Sequence, residues 1–183
     1  MIIQDIFKYF AQFPVKANVL KLFANGKSSL AGYGELMTFI TNMAIHTRIP
    51  SLTGFVFGSD EEVIKLQIDK CAGNIMFVEY GEINAGTDNR NSIKNNWKMA
   101  FTIMAKQSTD ADPIEVALNS ESTLSIARSI LSMMLADQTE CSWLKELSKS
   151  YYLAPFDHKG WSCHGWSVVF EREGADMLNL KNL

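Results

Sequence analysis

The sequence predicts an α+β domain: a mixed or antiparallel sheet of about five strands with helices packed on it. Two observations carry that expectation. The spacing of apolar residues is near four before Pro50 and near two after it. Consecutive strand-like segments are then flanked by helical ones on either side, an order that suits helices laid on one sheet. With 183 residues, 47% hydrophobic and 20% charged, the chain can bury one sizeable core. Residues 1–183 therefore read as a single domain, with residues 1–50 a mainly helical amino-terminal extension.

Each element has its own signal. Ile3, Ile6, Phe7 and Phe10 recur at helical spacing and Pro14 closes the segment, which predicts a helix over about residues 2–12. The Gly- and Ser-rich stretch 25–34 reads as a mobile connection. Leu36, Phe39, Ile40 and Met43 mark a second helix, ended before Pro50 because a residue preceding proline avoids the helical region. Phe55 and Phe57, then the turn-forming run Gly58 to Glu61, then alternating Ile64, Leu66 and Ile68 predict a hairpin.

"IMFVEYGEI" has apolar residues on both parities, as in a strand covered on both faces. Residues 85–96, "AGTDNRNSIKNN", carry loop chemistry throughout and predict an exposed arm before the strand "WKMAFTIMAK". Asp112, Pro113 and Glu115 form a helix start, and Leu124, Ala127, Ile130, Leu131 and Met134 give the following helix its apolar stripe. "CSWLKELSKSYY" predicts a further short helix. Trp166, Val168 and Phe170 mark the closing strand, with Trp166 expected in the core.

Charge and cysteine usage narrow the function classes. A net charge of −3 gives no broad basic footprint for nucleic acid. Gln4, Asp5, Lys8 and Gln12 interrupt the apolar amino terminus, so neither a signal h-region nor a membrane span is predicted and the chain is expected to be made in the cytoplasm. Cys71, Cys141 and Cys163 are odd in number and widely spaced, which suits reduced thiols. No phosphate-binding glycine loop of either common pattern is present.

The stretch "FDHKGWSCHGWSVVFERE" concentrates reactive-looking side chains. His158, Cys163 and His164 have ligand chemistry, yet their spacing poorly matches structural zinc patterns and no second cluster completes four ligands. Cys163 and His164 are neighbours on a strand and point to opposite faces, a poor arrangement for a nucleophile and its base. The expectation is a structural strand with no metal, no cofactor and no catalytic residues.

Taken in order, "NIMFVEYGEI", a polar loop, "NNWKMAFTIMAKQ", the acidic turn "TDADP", an amphipathic helix and "GWSVVFERE" resemble the tail-terminator and tail-completion (head-tail joining) proteins of tailed bacteriophages. The resemblance spans about two thirds of the chain and rests on element order. It implies a non-enzymatic virion protein, a homo-hexameric ring at the tail end or neck, contacting tail-tube or connector proteins. The residues before Pro50 and the segment "GWSCHGW" depart from that pattern. Thr87, Asp88, Asn89, Arg90 and Lys94 are the candidate subunit or partner contacts. Arg90, Lys94 and Lys98 are the cations that could meet DNA passing through a channel, although a solvated loop suits them better in an acidic chain. A small-molecule or peptide-binding module and, less favoured, a Cys/His enzyme are the competing readings.

Overall fold

A computed structural model describes residues 2–23, 26–44, 47–87, 93–108, 110–145 and 147–174. The elements run α1 (Ile2–Phe10), α2 (Lys16–Leu20), α3 (Tyr33–Asn42), β1 (Leu52–Phe57), α4 (Glu61–Asp69), β2 (Asn74–Thr87), β3 (Ile93–Lys106), α5 (Pro113–Asp137), β4 (Leu147–His158) and β5 (Cys163–Gly174). The fold is α+β. One five-stranded mixed sheet has the order β1-β2-β3-β5-β4, parallel between β1 and β2 and antiparallel elsewhere.

Strand alternation sends side chains to two faces and so builds two cores. On one face Met76 and Val78 of β2, Trp97, Met99, Phe101 and Ile103 of β3, and Val168 and Phe170 of β5 pack under α1, α2, α3 and α5. Phe10 of α1 is fully buried there, its ring 5.6 Å from Phe101 and 6.3 Å from Phe170. The amino-terminal helices are thus part of the main core. On the other face Ile75, Phe77 and Met104 meet Ile64 and Ile68 of α4, with Trp161 and Cys163.

Helix α5 starts where the capping residues predict. Asp112 Oδ1 accepts from the backbone N–H of Ile114 and Glu115, and Pro113 occupies the first turn. Thr123, Ala127, Ile130 and Met134 form its buried stripe.

Besides the β2–β3 pair, two segments differ from the sequence expectation. Ile64, Leu66 and Ile68 lie on helix α4 and form no hairpin strand. The Asp60 side chain accepts from Val63 N–H, Glu61 and Glu62 occupy the first turn, and the i, i+4 pair Ile64 and Ile68 is buried while Leu66 is exposed. An alternation of three apolar residues satisfies both periods, and the cap decides between them. The second difference is "CSWLKELSKSYY", which forms only one 3-10 turn at Ser142–Leu144 before entering edge strand β4.

Candidate functional site

The most distinctive feature is a β2–β3 ribbon that outruns β1; β5 backs β3 as far as Asn95, so among the described residues only the tip pairs Gly86↔Lys94 and Thr87↔Ile93 are two-stranded. Strand β1 ends opposite Val78, yet β2 continues to Thr87 and β3 begins at Ile93, paired from Glu82↔Lys98 through Thr87↔Ile93. Between Glu79 and Glu82 the register shifts: two β2 residues, Tyr80 and Gly81, oppose Met99 alone. This bulge bends the ribbon and increases its twist. Gly81 has φ +59°, and a Cβ there would lie 1.8 Å from the Lys98 carbonyl oxygen. Only glycine fits.

The base of the ribbon is anchored. The indole N–H of Trp97 donates to the Tyr80 carbonyl, Ser59 Oγ hydrogen-bonds the Tyr80 hydroxyl at 3.1 Å, and the Tyr80 and Phe57 rings are 5.4 Å apart. The register also sets Lys98 between Glu82 on β2 and Glu171 on β5, a cross-strand alternation of charge that favours this alignment. Asn96 Nδ2 donates to Glu171 Oε2 at 3.1 Å.

This ribbon replaces the open loop expected over residues 85–96. Thr87 closes β2 opposite Ile93, and Lys94 pairs with Gly86. Asp88, Asn89 and Arg90 lie outside the described residues. Polar composition suggested a loop, but backbone ladder bonds do not require apolar side chains, and Glu82, Ile83 and Asn84 at the start of the ribbon are exposed. Lys98, a sequence candidate for DNA, sits between two carboxylates, which cancels much of its field.

The stretch around Cys163 comprises the end of β4, a 3-10 turn at Lys159–Trp161 and the start of β5. His164 pairs across the sheet with Asp157, and its Nδ1 lies 4.0 Å from Asp157 Oδ1, whereas Cys163 is opposite His158. The histidine sharing Cys163's face is therefore His158, which residue adjacency does not suggest. Its ring stacks on Trp161 at 3.9 Å, and its Nε2 is 3.6 Å from Glu61 Oε1. Cys163 is 2% exposed, and its thiol points to the Trp161 carbonyl at 3.3 Å. Burial pushes its pKa up to about 11, so the nucleophilic thiolate is scarce at neutral pH. Among the described residues no group of three metal-ligating side chains could hold a metal ion.

Trp166 is half-buried, not in the core; its indole N–H reaches Ser120 Oγ at 2.9 Å. The fully buried tryptophan is Trp97. The register runs unbroken through Gly165, where β3 approaches so closely that a Cβ would lie 2.0 Å from the Ile103 carbonyl oxygen.

Sequence reasoning missed a polar tie between the amino-terminal helices and α5. Asp137 Oδ2 accepts from the Tyr9 hydroxyl at 2.9 Å and from Arg48 Nη1 at 2.7 Å, and Arg48 also stacks over Phe13. Burial opposes ionisation of Asp137, but the hydrogen bonds from Arg48 and Tyr9 outweigh it and hold the carboxyl below its usual range. Burial first, then the Asp137 bond, drives the Tyr9 hydroxyl far above its usual range. The signal available was an acid at the negative end of a helix, which requires a nearby cation.

A cleft of about 260 Å³ opens between α1, α3 and β1, lined by Phe7, Phe23, Tyr33, Leu36 and Phe57, and by Gln67 of α4. Among the described residues no helix is long and apolar enough to cross a membrane. Comparison of the chain with protein-family models, curated proteins and solved structures finds none that matches.

Proposed function

We propose that this chain is a non-enzymatic assembly subunit that closes into a ring, a hexamer by the resemblance described above, at the tail end or neck of a tailed bacteriophage. The observation that carries the reading is the bent β2–β3 ribbon. The ribbon projects past β1, and its tip, Gly86↔Lys94 and Thr87↔Ile93, extends beyond β5 as well; a two-stranded tip is marginal in water on its own. A bulge requiring Gly81 and an anchor through Trp97 make its direction specific, as an arm reaching a neighbouring subunit needs. Tail-tube or connector proteins are the partners of this reading. Passing DNA is left to Arg90 and Lys94, in a channel without strong positive charge.

The test replaces residues 86–94 with Asn-Gly, which closes Ala85 onto Asn95 by a two-residue hairpin turn. The subunit should fold with its body unchanged and lose the ring. A shortened ribbon with undiminished assembly removes the basis for the proposal.

A second reading has one observation of its own: the apolar cleft beside Phe7 and Phe57, with Gln67 Oε1 buried and lacking a hydrogen-bond partner. Such a group would accept from an amide-bearing small molecule or peptide. Its test is a ligand-induced rise in melting temperature that Gln67→Leu abolishes. The Cys/His enzyme is disfavoured by the buried, protonated Cys163.

A further inference from the structure

We infer that, in the ring just proposed, the subunits join by continuing the sheet from one copy to the next. The outer edge of β4 pairs antiparallel with the overhanging part of β2 of a neighbouring copy. This inference rests on the ring reading and names the contact that closes it.

Among the described residues the outer edge of β4 and the end of β2 beyond β1 lack a strand partner, and they lie on opposite sides of one sheet. Strand β4 is terminal in the order β1-β2-β3-β5-β4, and over its 12 residues it pairs only with β5. Strand β2 loses its β1 partner after Val78, so its side away from β3 has no strand partner from Glu79 to Thr87 among the described residues. Unpaired backbone donors and acceptors are a template for another strand unless covered. The outer side of β1 differs: Val15 N–H donates to the Leu52 carbonyl, and Asn18 Nδ2 to that of Thr53, so its first residues are already covered by the start of α2.

Direction and charge select the partner. β3 is antiparallel to β2, β5 to β3 and β4 to β5, so β4 runs opposite to β2. When rotation about a ring axis carries the sheet onward, β4 meets the next β2 in the antiparallel sense, the more stable ladder. Residues 79–87 carry Glu79 and Glu82 and no cation, a charge of −2. Over its whole length β4 is neutral, with Lys149 and Asp157, but the stretch expected to pair, residues 148–154, carries Lys149 and no acid, a charge of +1. Opposite charge favours this pairing in encounter and register. Pairing β4 with another β4 would leave every β2 overhang uncovered. The head-to-tail contact covers both edges and is the kind that closes rings.

Side-chain parity supplies the probe. Tyr152 lies opposite Val169, Val169 opposite Ala100, and Lys98, on the same face as Ala100, opposite Glu82. By alternation Tyr152, Glu82 and Asn84 therefore share one face, and Tyr152 is 67% exposed. In a Cys71→Ser, Cys141→Ser background shown to assemble as the parent does, Tyr152→Cys and Asn84→Cys chains are mixed and treated with a short bismaleimide. Amide exchange on the unmodified protein, assembled and diluted, is the second measurement.

The inference expects at least a tenfold excess of linked dimer in the mixture over either variant alone, and protection gained on assembly in residues 82–86 and 148–154 together. Linkage of Tyr152→Cys chains to themselves shows β4 pairing with β4 and overturns it. An oligomer with neither linkage nor added protection overturns the edge contact and leaves the ring standing. A monomer at all concentrations overturns both.

Discussion

Gly81→Ala should destabilise the ribbon selectively, and its cost can be worked from the structure. At φ +59° an L-residue with a Cβ pays about 1–2 kcal/mol for the left-handed conformation. The new methyl would also lie 1.8 Å from the Lys98 oxygen, 2.9 Å from its carbonyl carbon and 3.3 Å from Met99 Cα. All three are backbone atoms, so β3 must move and one or two ladder hydrogen bonds at about 1 kcal/mol each are lost. The sum is about 2–4 kcal/mol. Gly34 in α3 is the control: a Cβ there meets nothing within 4 Å, and alanine in place of a helical glycine gains up to about 1 kcal/mol. Urea titrations of the two variants should therefore move apart, Gly81→Ala to a lower midpoint and Gly34→Ala to an equal or higher one. Amide exchange should place the Gly81→Ala loss first at residues 79–87 and 93–99. Coincident midpoints would refute the bulge argument.

Trp97→Ala should cost about 3–5 kcal/mol, as a fully buried aromatic truncated in a core does, whereas half-buried Trp166→Ala should cost about 1–2 kcal/mol, chiefly its bond to Ser120 and partial burial; equal denaturant midpoints would contradict the assignment. Asp137 is held below its unfolded value, so its contribution is present above about pH 4 and is lost as pH falls through the folded value. Asp137→Asn should lower stability at pH 7 and flatten the acid limb of the stability profile, and an unchanged limb would show the tie to be idle. Cys163 is raised, so its contribution is present below about pH 9, the usual thiol value, and is lost as pH rises through about 11. Cys163→Ala should flatten that alkaline limb, as followed by circular dichroism.

Much of the fold was legible because local and tertiary signals agree at those positions. In α5, the Asp112 cap, Pro113 and the buried stripe ending at Met134 are set by local chemistry that packing reinforces. The β2 and β3 bodies were legible because their apolar residues are buried on both faces, between α4 and the larger helical layer. Segment 64–68 was ambiguous: its three apolar residues fit either period, and the deciding Asp60 cap also reads as a turn residue. Strand β4 was obscured because it is an edge strand, carrying Pro155 and a register shift between Leu147 and Tyr151, features that edges tolerate and that weaken a strand signal. At the ribbon, Thr87 and Lys94 stand where an arm was expected, but pairing through residues 82–87 and 93–98 is fixed by the bulge and by partners distant in sequence. The Tyr9–Arg48–Asp137 tie was invisible for the same reason: its members are 128 and 89 residues apart.

The account stands or falls on whether one chain closes on copies of itself. Light scattering coupled to size exclusion, repeated over a hundredfold range of concentration and paired with micrographs of the peak, measures this directly. The account predicts one discrete species with the mass of six chains, seen end-on as a ring with a central opening. A species with the mass of one chain at every concentration, alone and with tail-tube partners, would contradict it.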